Sequence, residues 1–283
     1  MKVFLRDEVK EFLSMPFFDE KLLLSKDFSY PKISIVTPSY NQAQFLEKTI
    51  LSVLNQNYPN LEYLIIDGGS TDESVEIIKK YEKYLAYWVS ERDRGQTHAI
   101  RKGFEKASGD IFAYLNSDDI YMPGTLFKVA ERLKSHPKVD MFYGNIYFID
   151  ESDNILDELR FTKTSFSAMI YEGGQMHQTA VFWTKDVYER VGGFDEQFRF
   201  CMDTDFFCRV AEKGRLCHIR DTLAAFRLHS TSKSASIKEV GEKEHGEIIR
   251  LLYYSEKRFN LPIGNGLNFY RRVGYDKHRF GYQ

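Results

Sequence analysis

Residues 33–72 read ISIVTPSYNQAQFLEKTILSVLNQNYPNLEYLIIDGGSTD. They spell a strand, a helix and a second strand. The run at 33–37, ISIVT, is short, β-branched and apolar, as expected of a strand buried on both faces. After PSYN, the spacing of Leu46, Ile50, Val53 and Leu54 draws one apolar stripe along a helix. LEYLIID at 61–67 is the second strand, and it stops at the Gly68-Gly69 turn. Ser70 with Glu73 predicts a capping box for a further helix that buries Val75, Ile78 and Tyr81. Strand, crossover helix, strand implies parallel pairing with right-handed connections.

The alternation continues outward from this unit. YWVS at 87–90 is a third strand. The loop ERDRGQT leads to a helix carrying Ile100 and Phe104, and IFAYL at 111–115 is a strand that ends in NSDD. In open parallel sheets, ligands bind beyond the carboxyl ends of the strands. Three polar clusters, at 39–41, 67–72 and 116–119, follow such ends and are expected to share one rim. Beyond residue 135 the pattern changes. A strand is expected at 139–150, a polar and turn-rich stretch at 151–175, a helix at 185–191 ending at Gly192-Gly193, and another helix near Asp203. The expected divisions are a helical lead-in (1–30), a first half (31–135), a second half (136–236) and a C-terminal helical extension (237–283).

Composition narrows the function classes. A chain of 283 residues, 43% hydrophobic and 28% charged, can bury one large α/β core. Its net charge of −2 supplies no global field for nucleic acid or an anionic membrane. Aromatic residues reach 15%; some could line a sugar cleft, but core packing is the plainer reading for most. Three cysteines, Cys201, Cys208 and Cys217, fit neither a disulfide framework nor a zinc spacing. MKVFLRDEVKEFLSM is not a secretory leader, and no apolar run approaches the ~20 residues of a membrane span. A cytoplasmic protein is expected. Any peripheral contact with the inner membrane face would run through a tail that sets Arg271, Arg272, Lys277 and Arg279 among Tyr270, Tyr275, Phe280 and Tyr282. A solvated or packed C-terminus is the plainer reading, because no amphipathic period runs through the segment.

The strand ends carry the chemistry. A carboxylate at Asp67 can accept hydrogen bonds from a base or ribose edge, and a turn-forming role is an equal alternative. Asp72 suits the first turn of the next helix. No G-x-G-x-x-G follows the first strand and no G-x-x-x-x-G-K-[ST] occurs, which argues against dinucleotide oxidoreductases and P-loop NTPases. A parallel sheet without those phosphate-binding devices can hold a diphosphate through a divalent cation. Asp118 offers hard oxygen ligands to Mg²⁺ or Mn²⁺, with an Asx turn as the structural alternative. Asp119 is either a supporting or a turn-forming acid.

VTPSYN, IIDGGSTD and DRGQTHAIRKGFEKASGDIFAYLNSDD, taken in order, resemble the successive motifs of family 2 glycosyltransferases. The resemblance spans about residues 33–236. It implies a GT-A fold: a Rossmann-like, mostly parallel sheet flanked by helices, with a smaller acceptor-side sheet. The first half would bind the nucleotide-sugar donor, and the second would bind the acceptor and carry the catalytic group. Pro38, Tyr40 and Asn41 would shape the donor pocket, and Asp67 would contact the nucleobase, typically uracil. Asp93 and Arg94 would lie beside the nucleotide, as would Asn116 and Ser117. Asp118 would be the metal-bound acid of the D-x-D motif. The sequence departs from the family at Asn116, where that motif has its first acid. The lost charge implies weaker metal binding that leans on the donor diphosphate.

An inverting transfer needs charge stabilisation of the leaving diphosphate and a base for the acceptor hydroxyl. VGGFDEQFRFCMDTDFFCRV resembles the family's E-D segment, with Met202 in place of Glu. The base maps onto Asp203, while Asp205 is a structural partner; a plain N-cap is the alternative for Asp203. The likeness also puts His229 on the metal or diphosphate, with Arg227 and Lys233 adding positive charge toward phosphates. His177 and Gln178 would line the acceptor cleft, packing being the alternative for both. His98 is read as a surface or loop residue. The expected reaction is transfer from a UDP-sugar to a hydroxyl of a glycan or lipid-linked acceptor in surface polysaccharide assembly, with Mn²⁺ or Mg²⁺. The rivals are a nucleotidyltransferase, which normally has a Gly-rich basic loop after the first strand, and a non-catalytic sugar-nucleotide or glycan-binding module, which would need no base.

Overall fold

In the computed structural model the chain forms a ten-stranded sheet with helices on both faces. The structure describes residues 3–4, 7–14, 27, 29–172, 176–230, 240–241 and 243–248. The elements in chain order are β1 (Val3–Phe4), α1 (Asp7–Ser14), β2 (Ile33–Ser39), α2 (Ala43–Leu54), β3 (Leu61–Asp67), α3 (Ser74–Tyr81), β4 (Tyr87–Ser90), α4 (Gln96–Lys106) and β5 (Ile111–Tyr114). There follow β6 (Ile120–Tyr121), α5 (Thr125–Ser135), β7 (Met141–Ile149), β8 (Asn154–Leu159), α6 (Phe166–Glu172), β9 (Val181–Thr184), α7 (Lys185–Val191), α8 (Met202–Lys213) and β10 (Leu216–Arg227). No helix among the described residues is long and apolar enough to cross a membrane.

The parallel strands of the first half and the helices between them are built as the sequence predicts. β2 lies between β3 and β5 and runs parallel to both, with Ile33 opposite Leu61 and Ile111. β3 pairs in parallel with β4. Alternate residues of β2 enter opposite layers, as the period of two requires. Ile33 and Ile35 pack in the layer with Leu46, Ile50, Val53 and Leu54 of α2, while Val36 packs in the layer with Ile100 and Phe104 of α4. The four apolar residues of the α2 stripe have no exposed surface. Burial of each contributes about 1.5–3 kcal/mol, an upper bound because the unfolded chain is already partly compact.

Elsewhere the structure differs from expectation. Residues 151–175 contain β8 and α6 rather than irregular chain alone. β9 and β10 were also not foreseen. β9 pairs antiparallel with both β5 and β7, so the strands of the second half continue the central sheet. β10 runs parallel to β7 with irregular register between His218 and Ala224. That irregularity, across the polar run HIRDT, removes the alternation by which a strand is recognised. The lead-in begins with β1, paired to β8, before its helix. The predicted capping box is absent. α3 starts after Glu73 with no side-chain cap: the Ser70 hydroxyl accepts from Asn41 N–H at 2.8 Å and donates to Asp67 at 2.5 Å instead.

Candidate active site

The ends of β2, β3 and β4 are stitched together by their own loops. Gly68 N–H donates to the Ser39 carbonyl at 2.8 Å. Asn41, at a positive φ of 51° that asparagine tolerates, donates from its backbone to Ser70 Oγ and accepts from Thr71 N–H. Pro38 sits inside β2 beside Ile66. The Val36 carbonyl accepts from Leu115 on the β5 side. The Pro38 nitrogen faces the same side two residues later, beyond the last β5 pairing, so its missing N–H costs no ladder bond. The Tyr40 ring projects from this edge, 61% exposed.

Asp67 is turned into its own loop. It is fully buried, and its carboxylate accepts from Gly69 N at 3.1 Å, Ser70 N at 2.9 Å, Ser70 Oγ at 2.5 Å and Ser90 Oγ at 2.6 Å. Four donors satisfy both oxygens, and the residue shapes the loop. The acid that faces the rim is Asp93. Its Oδ1 accepts from Gly95 N at 2.7 Å, and its Oδ2 lies 2.8 Å from where a Cβ on Gly68 would stand. The Tyr40 ring edge lies 3.3 Å from the same point. The missing side chain at Gly68 leaves room for a carboxylate beside an exposed ring. Arg94 is exposed and tied to Glu196 at 2.8 Å, joining this loop to the segment before α8.

At the end of β5, Asp118 Oδ2 meets His229 Nε2 at 2.9 Å. His229 is buried, its ring 4.9 Å from that of Phe45. Ser117 is buried beside Asp118. Asp119 has a different role. Burial, and then the neighbouring Asp118 carboxylate, push it well above the usual carboxylate range. It accepts from Arg227 N at 3.0 Å and from Thr179 Oγ1 at 3.2 Å. Asn116 is the hub beneath this turn. Its Oδ1 accepts from Gln96 at 2.6 Å, while its Nδ2 approaches Asp119 Oδ2 at 3.4 Å and Gln178 Oε1 at 3.5 Å. A neutral amide can accept and donate at once, which an aspartate beside buried Asp119 could not do.

Arg227 corrects an expectation. It is not aimed at phosphates: fully buried, it donates to the Asp118 and Asp150 carbonyls and to Asp153 Oδ1. Its guanidinium lies 4.8 Å from the Phe45 ring centroid. Arg227 therefore braces the turn that presents Asp118. Lys233 and the aromatic-basic tail lie outside the described residues.

Asp203 stands in the first turn of α8 and is half-buried. Its Oδ1 accepts from Thr204 N at 2.7 Å. α8 is drawn to α4 through Thr97, whose hydroxyl bonds to Met202 Sδ and the Phe198 carbonyl. Tyr114, at the end of β5, is held well above the usual phenol range by burial and then by the carboxylates of Asp203 and Asp119. The charges of Asp203 and Asp119 thus both act on one buried tyrosine. Asp205 is structural: it pairs with Arg209 at 2.5 Å, and Arg209 also donates to the Val191 and Gly193 carbonyls that end α7.

His177 caps the short turn at Gln178–Ala180 and packs against Phe226 at 4.6 Å between centroids. Burial pushes its imidazole down to about 4, so it stays neutral at physiological pH. Gln178 is buried and bonded to Asn116 and to the Tyr114 carbonyl. His98 accepts from Arg94 N at 3.4 Å in the first turn of α4. Sequence reading missed Gln96, Thr179 and Asp153. Their partners lie 20, 60 and 74 residues away, and no local pattern encodes such pairings.

Among the described residues, no group of three or more His, Cys, Asp or Glu side chains could by itself hold a metal ion. Asp118 and His229 form a two-donor set. It is too small for a closed cage, but it fits a cation shared with phosphate oxygens and water.

Residues 34–192 match the family described as Glycosyl transferase family 2. An uncharacterized glycosyltransferase of Mycobacterium tuberculosis strain H37Rv is 32% identical over 251 residues, covering 86% of this chain and 93% of that protein. The crystal structure of S. aureus TarS with UDP-GlcNAc shares the fold at TM-score 0.62 and 16% identity, over 87% of this chain and 77% of that one. The mannosyltransferase PcManGT of Pyrobaculum calidifontis, in complex with GDP-Man and Mn²⁺, does so at TM-score 0.58 and 18% identity, over 88% and 70%. The architecture is that of GT-A glycosyltransferases, and the chain belongs to glycosyl transferase family 2.

Proposed function

We propose that this chain catalyses inverting transfer of a sugar from a nucleoside diphosphate, a UDP-sugar, to a hydroxyl of a glycan or lipid-linked acceptor. Surface polysaccharide assembly is the process such an activity would serve. The observation that carries the reading is the division of labour among the acids. Asp118 is paired with His229, while Asp203 is a half-buried carboxylate in the first turn of a separate helix, α8, whose charge acts with that of Asp119 on the buried Tyr114. A sugar-nucleotide-binding module would have no need of Asp203, and the loop after β2 lacks the Gly-rich basic character of a nucleotidyltransferase.

In this reading, Tyr40 supports the nucleobase with its ring face, and Asp93 Oδ2 accepts from the base edge above Gly68. The acceptor role first given to Asp67 passes to Asp93, because the Asp67 oxygens are already satisfied. Asp118 and His229 would hold a divalent cation. Mn²⁺ suits a set containing imidazole better than Mg²⁺ does. The cation would supply charge stabilisation to the leaving diphosphate. Asp203 takes the proton of the acceptor hydroxyl as its oxygen attacks the anomeric carbon from the face opposite the nucleotide. The transition state resembles an oxocarbenium ion, as in glycoside hydrolysis. UDP-GlcNAc in TarS, and GDP-Man with Mn²⁺ in PcManGT, support a nucleotide-sugar donor on this fold.

The test is a thermal-shift and hydrolysis screen of sugar nucleotides with Mn²⁺. One UDP-sugar should both raise the melting temperature and be cleaved slowly. Binding without cleavage or transfer to any acceptor would favour the binding module, and no response to any sugar nucleotide would overturn the reading.

A further inference from the structure

Three consecutive backbone amides just before α8 converge on one side chain. Arg199 N–H donates to Glu244 Oε1 at 2.8 Å, Phe200 N–H to Oε2 at 2.7 Å, and Cys201 N–H to Oε2 at 2.9 Å. Glu244 is 8% exposed, so these charge-assisted bonds are shielded from water. Such a run of amides forms a concavity suited to an anion, and here the chain fills it with its own carboxylate. Two further contacts bind the same segments. Cys201 Sγ donates to the Gly241 carbonyl at 3.4 Å. Ile248, one helical turn beyond Glu244, is 1% exposed and belongs to the apolar cluster that holds Phe206, Phe207 and Val210 of α8.

We propose that Glu244 is a positioning residue for Asp203, fixing the backbone from which the base projects. The proposal rests on the reading of Asp203 as base. The link is short. Glu244 holds residues 199–201, the Cys201 carbonyl accepts the Asp205 N–H that opens α8, and Asp203 lies between them. Glu244 grips the amides of residues 199–201, before α8, and not the first turn of the helix as a cap would; there Thr204 N–H donates to Asp203 Oδ1. The position of the Asp203 carboxylate is therefore set by the backbone that Glu244 grips. A displacement of about 1 Å at a reacting group can cost on the order of 100-fold in rate.

The experiment compares full-length Glu244→Ala and Glu244→Gln with the parent chain, using the UDP-sugar cleaved in the donor screen, and UDP with Mn²⁺ for binding. Glu244→Ala should lower kcat per folded molecule at least tenfold, with donor KM and UDP affinity nearly unchanged. Glu244→Gln retains one acceptor oxygen and should recover part of the loss. Amide hydrogen exchange at residues 199–201 should quicken in the Ala variant. If that variant does not fold, kcat of the Gln variant decides. A lower melting temperature with unchanged kcat per folded molecule would make Glu244 merely structural and overturn the proposal, as would a loss expressed only in donor KM. Normal turnover by Asp203→Asn would defeat the base reading instead, and the exchange result would still report whether Glu244 orders the loop.

Discussion

His229 Nε2 lies 2.9 Å from Asp118 Oδ2, although the two residues are 111 positions apart in sequence. β10 ends at Arg227, whose backbone and buried guanidinium bind Asp119 and the Asp118 carbonyl, so the strand delivers His229 to the acid. In the proposed enzyme this pair holds the cation. Asp118→Ala and His229→Ala should each weaken Mn²⁺-dependent UDP binding. Loss of even an outer partner of a metal ligand costs about 10- to 100-fold in affinity, and loss of a ligand should cost at least that. Calorimetry with and without Mn²⁺ reads it, and EDTA should suppress transfer by the parent chain. Unchanged binding in both variants would remove the pair from the metal site.

Asp203→Asn keeps the shape of the side chain and removes the base. Turnover should fall by roughly 10²- to 10⁴-fold, the usual range for general base catalysis. UDP affinity should remain close to that of the parent, because Asp203 stands apart from the nucleotide in the proposed arrangement. Steady-state kinetics beside calorimetry separates the two quantities, and a fully active variant would exclude Asp203 as base.

Gly68→Ala probes the nucleobase end. A Cβ there would stand 2.8 Å from Asp93 Oδ2 and 3.3 Å from the Tyr40 ring, so the Asp93 carboxylate must move. UDP affinity should drop by roughly tenfold, ~1.4 kcal/mol, the scale of one hydrogen bond. The far end of a side chain gives way more readily than backbone, so the melting temperature should change little. Parent-like UDP binding would show that Asp93 does not read the base.

Asn116→Asp restores the D-x-D acid and should nevertheless destabilise the protein. It deletes the donor now 3.4 Å from Asp119 Oδ2 and sets a carboxylate against one already pushed up by burial. The expected cost is ~1–3 kcal/mol, read as a lower urea midpoint. A midpoint equal to that of the parent would mean that the hub tolerates a second acid.

His177 sets a pH dependence of stability. Its folded value is lowered from 6.5 to about 4 by burial. Between those values the unfolded chain binds a proton that the folded chain refuses, so its contribution is intact above about pH 6.5 and is lost as the pH falls toward 4. The loss from this one group approaches ~3 kcal/mol. His177→Asn, which can still accept from Thr179 N–H, should flatten the dependence in urea melts between pH 7 and pH 4. An unchanged slope would assign the dependence to other groups.

The first half of the fold was legible because its signals are local. ISIVT and LEYLIID are short, apolar, β-branched runs, and α2 carries a helical stripe, so β2, β3 and the helix between them form where these local signals place them. β10 was not legible, since its irregular register interrupts the alternation, and β9 is a four-residue strand whose pairing depends on β5 and β7. The capping box failed for a reason the motif does not contain: the Ser70 hydroxyl accepts from the backbone amide of Asn41 and donates to the buried Asp67 carboxylate, so its oxygen is engaged by a distant loop rather than by α3.

The sequence by itself determined a parallel α/β sheet, a rim of polar loops at its strand ends, and the acids that resemblance assigns to donor, cation and acceptor. Tertiary structure decided which acids remain available. Asp67, Asp119 and Asp205 are spent inside the protein, whereas Asp93 faces the rim and Asp118 meets His229. The physical reason is that a carboxylate's role depends on its burial and on how many donors surround it. Those donors come from segments that only the folded chain brings within hydrogen-bonding distance.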